Sequence, residues 1–200
     1  MPGVGLTLAI DTLIFDQGGV LVRTQWENAT VAWSKLNGAT SREVMYQILE
    51  GDAYASFMRG DVDRTEFRDR ICTDLSIQQD PETFNEIWCS IIHPNLEIVS
   101  LVESLSDRYR MVIGSNTDEL HQKRIQEVQP IVTSFDDFLL SYELSVLKPD
   151  TKFFDVGLAK LDLTPNQCFF IDDRQNNVDS ALSVGIQAVQ FESAAQLASK

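Results

Sequence analysis

The sequence predicts an α/β protein, a parallel sheet wound on both faces by helices, with a helical unit inserted after the first strand. Three observations carry that expectation. Short apolar runs alternate with amphipathic stretches over most of the chain, the order that builds strand-helix-strand units. The runs are continuously apolar, as in Met111-Val112-Ile113 and Phe169-Phe170-Ile171, which a sheet covered on both faces requires. A long helical pattern over residues 23–93 interrupts the alternation once, directly after the first run. The length of 200 residues allows one compact domain, or a core with an inserted subdomain.

Taken in order, strands are expected at 12–15, 110–114, 137–140, 168–171 and 187–190, with helices at 96–106, 118–127, 151–161 and 176–184. Inside the insertion Trp26, Ala29, Trp33 and Leu36 recur at helical spacing, as do Phe84, Ile87, Trp88 and Ile91. Thr40-Ser41-Arg42-Glu43 reads as a capping box, and Asp80-Pro81-Glu82 as an N-cap with proline in the first helical position. The exits lie near Val22 to Gln25 and at His93-Pro94-Asn95, where Pro94 disfavours helix in its predecessor. The division expected is a core of 1–22 with 94–200 and an inserted bundle of 23–93.

Composition excludes several classes of function. Thirty acidic against sixteen basic residues give a formal charge of −14, which repels nucleic acid and anionic membrane surfaces. No run reaches the roughly 20 apolar residues that span a bilayer. No basic residue precedes the apolar stretch near the N-terminus, so no signal peptide is expected. Cys72, Cys89 and Cys168 form no CxxC pair, which argues against a disulfide framework or a thiolate zinc site and for a reducing, cytoplasmic setting. All three lie in apolar contexts and read as inert core residues. Gly3-Val4-Gly5 lacks the strand and third glycine of a dinucleotide fingerprint. Nothing in the sequence encodes an oligomeric state.

In an open α/β sheet ligands bind beyond the carboxyl ends of the strands. Here those ends are polar: Phe15-Asp16-Gln17-Gly18-Gly19-Val20, Gly114-Ser115-Asn116-Thr117 and Ile171-Asp172-Asp173, with Val146-Leu147-Lys148-Pro149-Asp150 adding a cation. The four stretches resemble, in order and spacing, the haloacid dehalogenase superfamily, and the resemblance runs from about Thr12 onward. It implies a Rossmann-like core with a small α-helical cap, with Asp16 as nucleophile and Ser115, Lys148 and the Asp172-Asp173 pair as the later motifs. Phe-Asp-x-Gly-Gly-Val, Ser-Asn-Thr and Asp-Asp-x-x-x-Asn are most similar to subfamily IA members of the glucose-1-phosphate phosphatase type.

The charges lead to the same chemistry. Asp16, Asp172 and Asp173 at one sheet edge would repel a phosphate dianion unless met by cations, and one Mg2+ with Lys148 balances them. The metal ligands expected are Asp16, the Gly18 carbonyl and Asp173, with Asp172 in the first or second shell. Asp16 would attack phosphorus to give an aspartyl phosphate that water hydrolyses. Gly18, Gly19 and the amides opening the helix at Thr117-Asp118 would cradle the phosphate, Ser115 and Asn116 would donate to it, and Lys148 would hold it and balance Asp16. Trp26 follows the first motif closely enough to reach substrate. One departure stands out: the family's usual phosphatases carry a general-acid Asp where this chain has Gly18, which costs about 10² to 10⁴ in rate unless the leaving group is good.

The function expected is therefore a Mg2+-dependent phosphatase of a small phosphorylated metabolite, a sugar phosphate among the candidates. The alternatives are a 2-haloacid dehalogenase using the same aspartate on carbon, and a catalytically weak or silent binding protein. Each residue also has a plain reading. Asp16 with its glycines could be a turn, Ser115 a strand-end cap, Lys148 a solvated lysine, and Asp172-Asp173 an N-cap with its neighbour. The aromatic residues of the insertion read as bundle core, and His93 and His121 as structural or surface residues.

Overall fold

The computed structural model describes residues 9–199, so the Gly3-Val4-Gly5 segment lies outside the described residues. The sheet has five parallel strands: β1 (Thr12–Phe15), β4 (Arg110–Ser115), β5 (Asp137–Leu140), β6 (Cys168–Asp172) and β7 (Gln187–Gln190), in the order β5-β4-β1-β6-β7. The chain leaves β1 toward β4 and β5, then returns to the other side of β1 for β6 and β7. That reversal opens a crevice at the carboxyl ends beside β1.

The continuous apolar runs are explained by burial on both faces. Leu13, Phe15, Ile113 and Ile171 enter one core and Ile14, Val112, Phe153 and Phe170 the other. Between the strands run α6 (Val99–Ser106), α7 (Glu119–Val128), the short α8 (Ser141–Leu144), α9 (Lys152–Leu161) and α10 (Gln175–Ser183), and α11 (Ala194–Leu197) follows β7. The helix expected over 96–106 begins as a 3-10 turn at Leu96–Ile98.

The insertion contains α1 (Glu27–Asn37), α2 (Ser41–Leu49), α3 (Asp52–Met58), α4 (Arg64–Asp74) and α5 (Pro81–Cys89). Thr40 caps α2 through a reciprocal box with Glu43, and the Asp80 side chain accepts from the Thr83 amide ahead of Pro81. Trp33, Phe67, Phe84 and Trp88 are fully buried and join the same core as Phe15 and Ile171. Truncating one such ring to alanine would cost about 3–5 kcal/mol. Leu36 departs from the expectation and is 54% exposed. The buried stripe of α1 is centred on Ala29, Thr30 and Trp33, and Leu36 sits at its edge.

Two further elements were not expected from the sequence. β2 (Val22–Thr24) and β3 (Ile92–Pro94) pair antiparallel where the chain leaves and re-enters the sheet region, so both connections are tied into one ribbon. Among the cysteines only Cys168 is fully buried, while Cys72 and Cys89 are half-buried and all three are unpaired. No described helix is long and apolar enough to cross a membrane.

Candidate functional site

The β1 ladder continues one residue past its end: the Asp16 amide donates to the Ile171 carbonyl (2.9 Å), which fixes Asp16 at the sheet edge. Its carboxylate Oδ1 lies 2.9 Å from Lys148 Nζ. The same ammonium donates to Asp172 Oδ2 (2.7 Å) and to the Gly114 carbonyl (2.7 Å), and it is only 3% exposed. Its three protons have three partners, an arrangement that fits the charge balance expected of Lys148 more directly than a hold on phosphate. Burial opposes the charged form of this lysine, but the attraction of Asp16 and Asp172 outweighs that and raises its pKa. Burial likewise pushes the Asp16 carboxyl up to about 6, against the pull of Lys148 and with Asp172 adding to the rise.

Asp172 and Asp173 are neighbours with different surroundings. Asp172 is fully buried, and its oxygens accept from Lys148, the Arg174 amide (2.8 Å) and Asn177 Nδ2 (3.0 Å). Asp173 is half-buried, lines the cavity beside Asp16, and has no hydrogen-bonded side-chain atom among the described residues. Burial raises its pKa, and Asp172 adds to the rise. Carboxylate oxygens of Asp16, Asp172 and Asp173 lie within 4.8 Å of one another.

Gly18 lines the same cavity, and neither its amide nor its carbonyl is hydrogen-bonded among the described residues. Hard, mostly anionic oxygens around one point, opposed by a single saturated lysine, suit a magnesium ion. Gly19 is required by position: its φ is +78°, and a Cβ there would stand 2.3 Å from Asp173 Oδ2. Its amide donates to the Val22 carbonyl (2.8 Å), so of the two glycines only Gly18 keeps a free N–H for phosphate.

Other expected phosphate ligands also have protein partners, although Asn116, which lines the cavity, keeps its second N–H. Asn116 uses both side-chain polar atoms on the main chain of Lys148, accepting from its amide (2.8 Å) and donating to its carbonyl (2.8 Å). It clamps the lysine loop to the end of β4. The start of α7 is also engaged: Asp118 Oδ1 accepts from the Leu120 and His121 amides, and Ser141 Oγ accepts from the Thr117 amide. These amides do not point at a ligand, because Asp118 is itself the N-cap. Ser115, the last residue of β4, lines the cavity with its hydroxyl unpartnered among the described residues.

The cavity holds about 320 Å³ between sheet edge and insertion. Trp26, half-buried, does line it, together with Leu49, Tyr54 and Met58 from the insertion. A wider hollow of about 1040 Å³ lies on the insertion itself, but Glu50, Asp52, Glu66 and Asp69 on its walls disfavour phosphate. Four side chains of the cavity region were given no part in the site by the sequence: Tyr54, Arg174, Asp118 and His121. Asp118 Oδ2 accepts from Trp88 Nε1 of α5 (3.1 Å) and stands 2.8 Å from His121 Nδ1, while His121 Nε2 meets the Trp88 carbonyl (2.9 Å). The His121 ring stacks on Trp88 at 4.6 Å. This latch fastens the insertion to the core. Aspartate and histidine three apart at a helix start were a visible pattern, whereas their Trp88 partner was not.

The geometry has counterparts in known proteins. The family model for haloacid dehalogenase-like hydrolases matches residues 10–185. A D-ribitol-5-phosphate phosphatase of Bacteroides thetaiotaomicron is 23% identical over 193 residues, covering 93% of this chain and 94% of the relative. A sesquiterpene phosphatase of Aspergillus oryzae is 23% identical, with 86% and 85% covered. A solved HAD family enzyme of Bacteroides thetaiotaomicron, in complex with magnesium and inorganic phosphate, superposes with a TM-score of 0.83 at 23% identity, covering 92% of this chain and 96% of that one. With nearly its whole described length matched by the family model, and the family's sheet order and strand-end acids in place, the chain belongs to the haloacid dehalogenase-like hydrolases.

Proposed function

We propose that this hydrolase is a magnesium-dependent phosphatase of a small phosphorylated metabolite, working through a phosphorylated Asp16. Residues 23–93 act in it as a cap over a core of 1–22 and 94–200. The observation that carries the reading is the charge count at the sheet edge. Three carboxylates stand within reach of one another, and the one lysine among them has no proton left to give. Two relatives are a D-ribitol-5-phosphate phosphatase and a sesquiterpene phosphatase, and the solved neighbour is in complex with magnesium and inorganic phosphate, which supports the same chemistry.

Asp16, Asp173 and the Gly18 carbonyl would hold the ion, with Asp172 behind them as the partner of Lys148. Magnesium, when bound, supplies the positive charge that lets a phosphate dianion approach carboxylates. The Asp16 carboxylate attacks phosphorus, an Asp16–phosphorus bond forms, and the ester oxygen leaves. Water then attacks the aspartyl phosphate, releasing phosphate and restoring the carboxylate. The Ser115 hydroxyl and the Gly18 amide donate to phosphate oxygens, while Lys148 keeps Asp16 ionised and aimed. With glycine at position 18 the departing oxygen takes its proton from water or leaves as an anion. A 2-haloacid dehalogenase would have no use for the free Asp173 carboxylate. Three unpaired thiols, each with its pKa raised by burial, fit a cytoplasmic setting.

The test is hydrolysis of para-nitrophenyl phosphate with magnesium and with EDTA, in the native chain and in Asp16→Asn. EDTA should abolish turnover, and Asp16→Asn should lower it by at least about 10³-fold because an amide cannot attack. A rate indifferent to both changes overturns the reading.

A further inference from the structure

The insertion lines the cavity mainly with aromatic and aliphatic side chains, and the core adds Arg174. Leu49 and Met58 present no hydrogen-bonding group, and Trp26 offers only its indole N–H. The Tyr54 hydroxyl has no hydrogen-bond partner among the described residues, and its ring is held edge-on against Trp26 (6.0 Å) and Trp88 (6.2 Å). Arg174, exposed on the same cavity, has neither an ion pair nor a side-chain hydrogen bond among the described residues. Arg23, Arg59, Arg68, Arg70, Arg110 and Arg124 each meet a carboxylate, and of the arginines that do not, Arg174 is the one that lines this cavity. The two side chains are near enough that the Arg174 charge acts on the Tyr54 phenol, although burial dominates and pushes that phenol up to about 12. Tyr54 is therefore a neutral donor beside a cationic one.

Donors without an acceptor, a guanidinium among them, beside an aromatic and aliphatic surface call for an anion carried on an apolar body. Resting on the phosphatase reading, we propose that Arg174 and Tyr54 form an anion subsite for the leaving group. The preferred substrate is then a phosphomonoester whose apolar leaving group carries a second anionic group, either a carboxylate or a second phosphate. Gly18 fits that substrate when the leaving oxygen is phenolic or enolic, since such an oxygen departs without a general acid.

Three aryl phosphates of closely similar shape test the subsite: 4-(carboxymethyl)phenyl phosphate, its neutral carbamoylmethyl analogue, and the phosphonomethyl analogue. Values of kcat/KM are measured with magnesium, and Kd by calorimetry on Asp16→Asn. At least one anionic compound should be favoured over the amide by about tenfold in both measurements, and the anion favoured identifies the group recognised. Arg174→Gln should bring the ratio to about one, and Tyr54→Phe should cut it roughly threefold. Equal values for all three compounds, or a ratio that survives Arg174→Gln, overturn the subsite. Absence of turnover with a preserved ratio of Kd values would sink the phosphatase reading and leave the subsite standing.

Discussion

The two sides of the cavity differ in how their polar groups are satisfied. On the sheet side Lys148, Asp172 and Asn116 bond to one another or to the main chain, and the clamp from Asn116 to both ends of the Lys148 peptide leaves the lysine no freedom to wander. On the insertion side the surface is aromatic and aliphatic, and Tyr54 keeps an idle hydroxyl. Saturated networks in a low-dielectric setting are rigid and sensitive to loss of any member. An apolar wall with one or two free donors tolerates substitution and discriminates by what it leaves unpaired. In the function proposed, the chemistry falls to the sheet edge and the choice of substrate largely to the wall that the insertion supplies.

The strongest way to break that contrast is to remove the charge that organises the sheet side. Lys148→Met keeps the volume and leaves Asp16 and Asp172 buried without a cation. Urea unfolding without magnesium should show a loss of about 3–5 kcal/mol, and turnover should fall by about 10³-fold. A stability within about 1 kcal/mol of the native chain would mean that the network is not held by this charge.

A smaller effect, of opposite sign, is expected where the sheet side lacks a group. A Cβ at Gly18 meets only Thr24 Cγ2, at 3.6 Å, and the backbone there is not left-handed. Gly18→Asp should therefore fold normally and restore a proton donor. Hydrolysis of esters with poor leaving groups should rise by about 10²-fold, while para-nitrophenyl phosphate, whose phenol needs little help, should change little. Equal gains across leaving-group pKa would show that the new carboxylate does something other than protonate.

The smallest effect concerns the latch between the two sides. Burial disfavours the His121 imidazolium, yet Asp118 and the Trp88 carbonyl together outweigh it, so the pKa lies above the usual 6.5. A group whose folded pKa is raised stabilises fully below its unfolded value, and that contribution is lost as the pH climbs through the folded value. The difference in unfolding free energy between the native chain and His121→Gln should be larger at pH 6 than at pH 9. An identical difference at both values would show that stacking on Trp88, not charge, makes the latch.

Much of the fold was legible because burial on both faces writes itself as uninterrupted apolar runs. All five sheet strands were expected within a residue of their observed ends, and the polar residues ending three of them include Asp16, Ser115 and Asp172. The β2–β3 ribbon was not legible, since a strand of three residues has no periodicity to detect. α4 carried little signal either: only Phe67 and Ile71 of its eleven residues are buried. Roles were less legible than positions. Asn116 and Lys148 were named, but the partners they hold were not legible, because a side chain's hydrogen bonds depend on neighbours 32 or 24 residues away.

The sequence alone determined which residues gather at the sheet edge, since strand order along the chain and polar strand ends are local properties. Only the tertiary structure decided which acid stays free for a cation. Asp172 and Asp173 are chemically identical and adjacent, and alternation along β6 turns one inward to Lys148 and Asn177 and the other out to the cavity. The same holds for Tyr54 and Arg174, far apart in the chain and unremarkable in it, which come to face one cavity only when the insertion closes over the sheet.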